Sequence, residues 1–315
     1  MGGGRRTCGF CATIKTMINR VCALCGVKQH TKILYPATFR KKNLTYTTYS
    51  ARRFPDHMHY RILRCERCGL VFSSPILPSQ EISKFYRESV CTYEDQIPYT
   101  TRTYWGIFKR VRRQLPLQPK ILEVGCGNGF FLEALRQQGI NDVWGVEPSR
   151  QMLAQASTFL KKRIKADIFR RGLFKSSSFD IVCFFHVLDH VLDPNEFVEE
   201  VFELLRPGGL VLVVVHDVTG LAVKLLGERS PIFDIEHIYL FNKKTLKELF
   251  VRHGFNVIKV TDLANTYPLA YWFRMSGLPQ NLKNIGLSLL SALHLTDMPF
   301  AFPGVNISLN AQRKF

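Results

Sequence analysis

The stretch Ile121-Leu122-Glu123-Val124-Gly125-Cys126-Gly127-Asn128-Gly129 joins a short apolar run to the start of an amphipathic helix. Glycines at such a strand-to-helix turn let the backbone come close to a ligand, and the helix N-terminus behind them favours an anion. Two ligand classes compete for a loop of this kind. A dinucleotide fingerprint needs a third glycine where this chain has Phe130, whereas the spacing here is G-x-G-x-G with Glu123 two positions ahead. Working outward, residues 143–146 read as a second strand that ends at Glu147, where a carboxylate suits ribose hydroxyls. A weak third strand near 163–166 leads to Asp167, placed to accept from an adenine amino group. Residues 179–185 form a buried apolar strand, and Pro194 opens a helix that Pro207-Gly208-Gly209 ends. Strands at 210–215, 255–260 and 305–311, with a helix at 243–253, continue the alternation. The pattern predicts an α/β fold with a doubly wound, mostly parallel, seven-stranded sheet.

Of the 315 residues 46% are apolar and 12% aromatic, enough for a large core, which excludes a disordered or fibrous chain. No apolar run approaches the roughly 18 residues of a membrane-spanning helix. The first twenty residues lack the apolar core of a secretory leader, so a cytoplasmic location is expected and 1–20 read as disordered. Lys and Arg number 43 against 25 acids, and the first 70 residues hold fourteen of them against Asp56 and Glu66 alone. A field of that sign favours nucleic acid, a phospholipid surface or a phosphorylated small molecule.

Nine cysteines, an odd count, argue against a disulfide framework. Two pairs share one pattern, Cys22-Ala-Leu-Cys25-Gly26 and Cys65-Glu-Arg-Cys68-Gly69. The trailing glycine permits a tight turn that aims amides at sulfur, and two such knuckles together make a four-sulfur structural zinc site. Residues 21–78 therefore read as a small zinc-ribbon-like module. Cys8-Gly-Phe-Cys11 lacks the glycine and precedes Met17, an alternative start, so that pair reads as dispensable. A helical linker is expected over 79–118, with Trp105, Phe108 and Val111 on a basic amphipathic stretch, before a domain at 119–315. An insertion at 261–303 interrupts the last strands, with Arg274 a candidate phosphate holder over an acceptor pocket.

Five blocks in order resemble the class I S-adenosylmethionine-dependent methyltransferases: ILEVGCGNG, the strand-end Glu147, KADIF, FDIVCFFHVLDHVLDP and LLRPGGLVLVV. The resemblance spans roughly residues 120–260. It implies S-adenosylmethionine as cofactor, with Gly125, Gly127 and Gly129 at its methionine end, Glu147 on the ribose, Asp167 on the adenine, and Glu123 and His186 among the cofactor-binding residues. The knuckles ahead of the domain look like those of zinc-binding sugar C-methyltransferases, and HVLDHVLDP is similar to the ubiquinone-type O-methyltransferases. Where many of these carry glutamate before the histidine, this chain has Asp189-His190.

Methyl transfer needs an aligned acceptor, exclusion of water and a base for a hydroxyl or carbon nucleophile. His186, Asp189 and His190 follow the fourth strand, His216 and Asp217 end the fifth, and His237 lies on a later loop. His190 and His237 are the preferred bases, with Asp189 beside them. The expected function is methylation of a small or lipid-linked anionic metabolite, such as a nucleotide-sugar or glycan precursor. RNA methylation using the basic module as a grip, and a non-catalytic cofactor-binding scaffold, are the alternatives.

Overall fold

Every residue of the run 179–185 is buried, as an apolar strand covered on both faces requires. The computed structural model describes residues 17–27, 29–39, 44–50, 56–92, 94–276 and 278–314. In chain order its strands are β1 (Thr31–Tyr35), β2 (Ile62–Cys65), β3 (Val71–Ser73), β4 (Ile121–Val124), β5 (Val143–Val146) and β6 (Ile164–Lys165). There follow β7 (Phe179–Phe185), β8 (Leu205–His216), β9 (Tyr239–Leu240), β10 (Phe255–Pro268) and β11 (Pro299–Arg313). The helices are α1 (Ser79–Arg87), α2 (Ile97–Val111), α3 (Phe130–Gln137), α4 (Arg150–Gln155) and α5 (Thr158–Lys161). They continue with α6 (Pro194–Leu204), α7 (Leu221–Leu226), α8 (Lys243–Arg252), α9 (Leu269–Met275) and α10 (Gln280–Ala292).

Seven strands form one sheet in the order β10-β11-β8-β7-β4-β5-β6. Neighbours from β8 to β6 pair in parallel, and β11 alone runs against both β8 and β10. The mostly parallel seven-stranded α/β fold read from the sequence is the fold observed. Along β7 the side chains divide by alternation: Val182 and Phe184 join the core on one face, Ile181, Cys183 and Phe185 the core on the other. β4 and β7 are neighbours although two strands intervene in sequence, so the chain leaves β4 and β7 in opposite directions across the sheet. Such a switch opens a crevice beyond the carboxyl ends of both strands.

Local chemistry sets the helix starts. Asp193 accepts from the amides of Asn195 and Glu196 with Pro194 behind it, and Asn242 and Thr245 exchange side-chain and backbone bonds in a capping box.

Four expectations need correction. The segment 21–78 is not a separate module: β1, β2 and β3 form an antiparallel sheet whose fourth strand is the distant β9, and Leu24, Tyr60 and Phe72 share a core with Val182 and Phe184. Within 17–20, Ile18 bridges Ile76 with its amide 2.8 Å from the Ile76 carbonyl, and the Arg20 amide donates to Ser74 Oγ at 2.9 Å; residues 1–16, with Cys8 and Cys11, lie outside the described residues. The stretch 79–118 is no linker, because Tyr104, Ile107 and Phe108 of α2 are buried against Phe131 and Phe185. The insertion is shorter than 261–303: alternating residues carry β10 to Pro268, where it pairs with Pro299, and only 269–298 stand between the strands.

Candidate active site

The crevice is a cavity of about 870 Å³ whose wall starts at the glycine loop. Gly125, Gly127 and Gly129 all have left-handed φ, at 70°, 57° and 81°. A Cβ at Gly125 would stand 2.5 Å from Val187 Cγ2, and one at Gly129 2.6 Å from Leu160 Cδ1. Conformation and space together demand glycine there. The Glu147 carboxylate accepts from the Gly127 amide at 2.9 Å and the Ser149 amide at 2.8 Å, so it ties the loop to the end of β5. Burial raises the Glu147 carboxyl to about 6, with the two amides pulling the other way.

Glu123, at the cavity wall, has no partner for Oε2; burial, then the neighbouring Glu147, pushes its carboxyl well above the usual range. A carboxyl held neutral in this way ionises more readily once a cation lies beside it. Asp167 is placed differently from its expected role. Its carboxylate pairs with Arg87 at 3.1 Å and Arg170 at 2.9 Å, and the wall is built instead by Ile168, Phe169, Arg170 and Arg171.

Across the cavity four imidazoles meet. His186 leaves β7 with φ of 54°, its amide on the Val214 carbonyl, and its ring centroid lies 4.6 Å from that of His216. His216 and His237 are also 4.6 Å apart, and His190 and His237 4.8 Å. His237 Nδ1 donates to the Ile232 carbonyl at 2.7 Å, which leaves Nε2 an acceptor. His216 Nδ1 donates to Asp189 Oδ2 at 2.6 Å, with the same consequence. His190 Nδ1 pairs with the Tyr86 hydroxyl at 3.0 Å.

Burial pushes the His190 imidazole down to about 4 and that of His237 well below its ordinary value. For Asp189 burial works upward, but the charge and hydrogen bond of His216, then His190 and His237, outweigh it and hold the carboxyl well below the usual range. Neutral His190 and His237 therefore stand beside the ionised Asp189 carboxylate at neutral pH. Asp189 Oδ1 is buried without a partner, and ligand atoms of His186, Asp189 and His216 lie within 4.8 Å of one another, a spacing a divalent cation also fits.

Residue choice by sequence position thus found His186, Asp189, His190 and His237 in one place, but it left His216 out of the catalytic set. Its pairing with Asp189 spans 27 residues and has no local signature. Tyr86 and Tyr104 were missed because α1 and α2 read as a connector. Beyond the histidines the wall carries Leu225, Leu226, Tyr271, Trp272, Met275 and Phe302, together with the polar Ser230, Asp234, Glu236, Asn265 and Asn306. Arg274 is exposed and does not line it.

At the cysteine end, Cys22 and Cys68 Sγ are 3.3 Å apart, Cys25 and Cys65 3.4 Å, and Cys25 and Cys68 3.9 Å. Gly26 and Gly69, at φ of 69° and 83°, return their amides to the Cys22 and Cys65 carbonyls at 2.8 Å. A tetrahedron with ~2.3 Å metal–sulfur bonds has edges of about 3.8 Å, so the four sulfurs fit it.

The glycine loop, the strand-end carboxylate and the switch crevice agree with a family match: a methyltransferase-domain model covers residues 99–260. The chain belongs to that family. Curated relatives include the tRNA U34 carboxymethyltransferase of Idiomarina loihiensis, 30% identical over 45% of this chain and 47% of that protein. Ubiquinone biosynthesis O-methyltransferases of several bacteria also match. That of Psychrobacter arcticus is 32% identical over 30% of this chain and 39% of the relative, and that of Rhizobium johnstonii 28% over 45% and 54%. The chain thus spans about half the length of the curated relatives it matches. Among solved structures, a methyltransferase from Thermotoga maritima overlays at a TM-score of 0.47 and 19% identity, covering 70% of this chain and 94% of that one. One from Archaeoglobus fulgidus gives 0.45 and 15%, over 69% and 97%.

Proposed function

We propose that this protein transfers a methyl group from S-adenosylmethionine to a hydroxyl of an apolar, lipid-linked acceptor. The observation that carries the reading is His216, held from behind by Asp189, lining the same cavity as Glu123 and Glu147. When bound, the donor supplies an electrophilic methyl on a sulfonium, which needs only alignment and a deprotonated nucleophile. Gly125, Gly127 and Gly129 give its methionine end close backbone contact, and Glu123 meets the positive charge. Glu147 keeps lone pairs for ribose hydroxyls, and Met152, Ile168 and Phe169 offer the purine an apolar slot. On the acceptor side His216 Nε2, with His190 and His237 beside it, takes the hydroxyl proton, and Asp189 steadies the imidazolium that forms. Ser230 Oγ and Asn306 Oδ1, buried without partners at the wall, orient the acceptor head.

An anionic acceptor draws less support, since Arg274 stands outside the cavity and the acids Asp234 and Glu236 line it beside His237, while Arg170 and Arg171 lie on the side of the expected adenine slot. The names of two relatives, ubiquinone biosynthesis O-methyltransferases, point the same way. RNA as acceptor draws on the tRNA-modifying relative and on the basic first 70 residues. Methyl-labelled donor incubated with cell lysate and partitioned into lipid, small-molecule and RNA fractions tests the reading. Label in the lipid fraction is the expected result; label in nuclease-sensitive material overturns it, and none anywhere favours a scaffold.

We also propose a structural zinc on Cys22, Cys25, Cys65 and Cys68. Burial pushes the Cys22 thiol up and that of Cys68 to about 11, while at Cys65 burial is outweighed by hydrogen bonds from the Cys68 backbone and the Cys25 thiol, which bring it to about 7, so all four sulfurs carry charge together only against a cation. Metal analysis is expected to find about one zinc per chain. Cys65→Ser is then expected to lower the melting temperature and solubility more than donor affinity, because the knuckles share the main core with the sheet. An unchanged melting curve without metal refutes the site.

A further inference from the structure

The cap over the acceptor end of the cavity carries an apolar surface that nothing in the catalytic reading uses. α10 has no buried residue along its thirteen, yet it is firmly seated on α9. A Cβ at Gly286 would come within 2.3 Å of Phe273, and Lys283 Nζ donates to the Arg274 carbonyl at 2.9 Å. Beside that seated face, Leu282, Ile285, Leu289 and Leu293 recur at helical spacing and are 47%, 65%, 59% and 56% exposed. Leu278 and Leu225, 43% and 70% exposed, extend the patch, and both also line the cavity. An apolar surface of this continuity on a folded chain marks an interaction site.

We propose that this cap docks on an anionic lipid bilayer, with the α10 stripe lying in the interface and the cavity mouth opening onto the membrane. Charge selects this occupant over a second copy of the chain. From residue 263 to 296 there is no Asp or Glu, while Arg274 and Lys283 lie there; Lys224 and Arg229, on α7 and just after it, are exposed, and Glu228 between them pairs with His59 at 3.2 Å. Two copies each carrying a formal charge of +18 repel, whereas a negatively charged surface attracts the same field. No described helix is long and apolar enough to cross a membrane, so the contact is interfacial. The continuity of Leu278, Trp272 and Met275 from stripe to cavity lets a lipid-linked acceptor slide in without leaving apolar contact. Only this last point rests on the acceptor reading; the docking does not.

Cosedimentation of the full chain with vesicles tests it, using phosphatidylcholine alone and phosphatidylcholine mixed with phosphatidylglycerol. Binding is expected to be stronger to the mixed vesicles and to weaken with salt. The double substitution Ile285→Asp, Leu289→Asp touches neither the core nor the cavity wall. It is expected to reduce vesicle binding roughly tenfold or more while leaving donor binding unchanged by calorimetry. Arg274→Glu with Lys283→Glu is expected to remove the preference for the anionic vesicles. Undiminished vesicle binding by the Asp variant overturns the proposal, as does no wild-type binding, or a wild-type dimer in light scattering that the Asp variant dissociates. If vesicles bind but methyl label never enters lipid, the docking surface stands and the acceptor reading falls.

Discussion

Glu147→Ala is expected to weaken S-adenosylmethionine binding on the order of 100-fold, and a lack of change in the calorimetric dissociation constant would remove Glu147 from the site. Two costs add. Ribose hydroxyls lose a charged acceptor, and the amides of Gly127 and Ser149 lose the carboxylate that now holds them. A hydrogen bond to a charged group contributes about 1.5–3 kcal/mol, so losing a pair, partly replaced by water, gives ~3 kcal/mol. Glu147→Gln separates the two costs, because its amide group meets one backbone N–H with a carbonyl and the other with a second donor. It is expected to bind with intermediate affinity. The pH dependence carries its own sign. With the carboxyl raised to about 6, the ionised form that accepts from ribose dominates above that pH. Affinity is therefore expected to be held above about 6 and lost as pH falls through it. Glu123 adds to this in the same sense, since its raised carboxyl must shed a proton to meet a cation. Wild-type binding should release protons, visible as a heat that changes with the ionisation enthalpy of the buffer.

The geometry of the glycine loop and of the strand end at Glu147 was legible because its causes are local. Glycines that need left-handed φ, an apolar strand before them and a carboxylate at the next strand end are all short-range signals, and β4, β5 and β7 fall where they were read. The knuckles were legible for the same reason: Cys-x-x-Cys-Gly specifies its own turn. What stayed hidden is tertiary. β9 is two residues long and exists as a strand only because Val71 and Phe72 pair with it, so no periodicity announces it. α1 and α2 are amphipathic helices that read as a connector until Tyr86 is seen against His190 and Tyr104 against Phe185. Asp167 shows the limit of positional reasoning. It follows the third strand as expected, yet Arg87 from α1 and Arg170 claim its carboxylate, and only contacts distant in sequence decide that.

Asp189→Asn is expected to lower kcat by about 10²–10⁴-fold, with donor affinity and the acceptor KM nearly unchanged. The carboxylate touches neither substrate nor donor in this reading; it positions His216. Held well below the usual range, it stays ionised across any working pH and keeps the proton of His216 on Nδ1, so Nε2 faces the acceptor with a lone pair. An asparagine can offer either its oxygen or its NH2 there, which frees the other tautomer and turns Nε2 into a donor. The carboxylate also favours protonated imidazoles nearby, His190 and His237 included. Its removal lowers the proton affinity of those two imidazoles, which then stay neutral to still lower pH. His216→Ala should cost a similar factor, and the double variant little more than either single one, because the two act as a unit. A loss confined to KM, or additive losses in the double variant, would dissolve the pair as a base. The same three side chains could instead hold a divalent cation, and that arrangement has its own signature. Chelator would abolish wild-type turnover, and excess metal would restore part of it to Asp189→Asn, neither of which a proton-accepting dyad predicts.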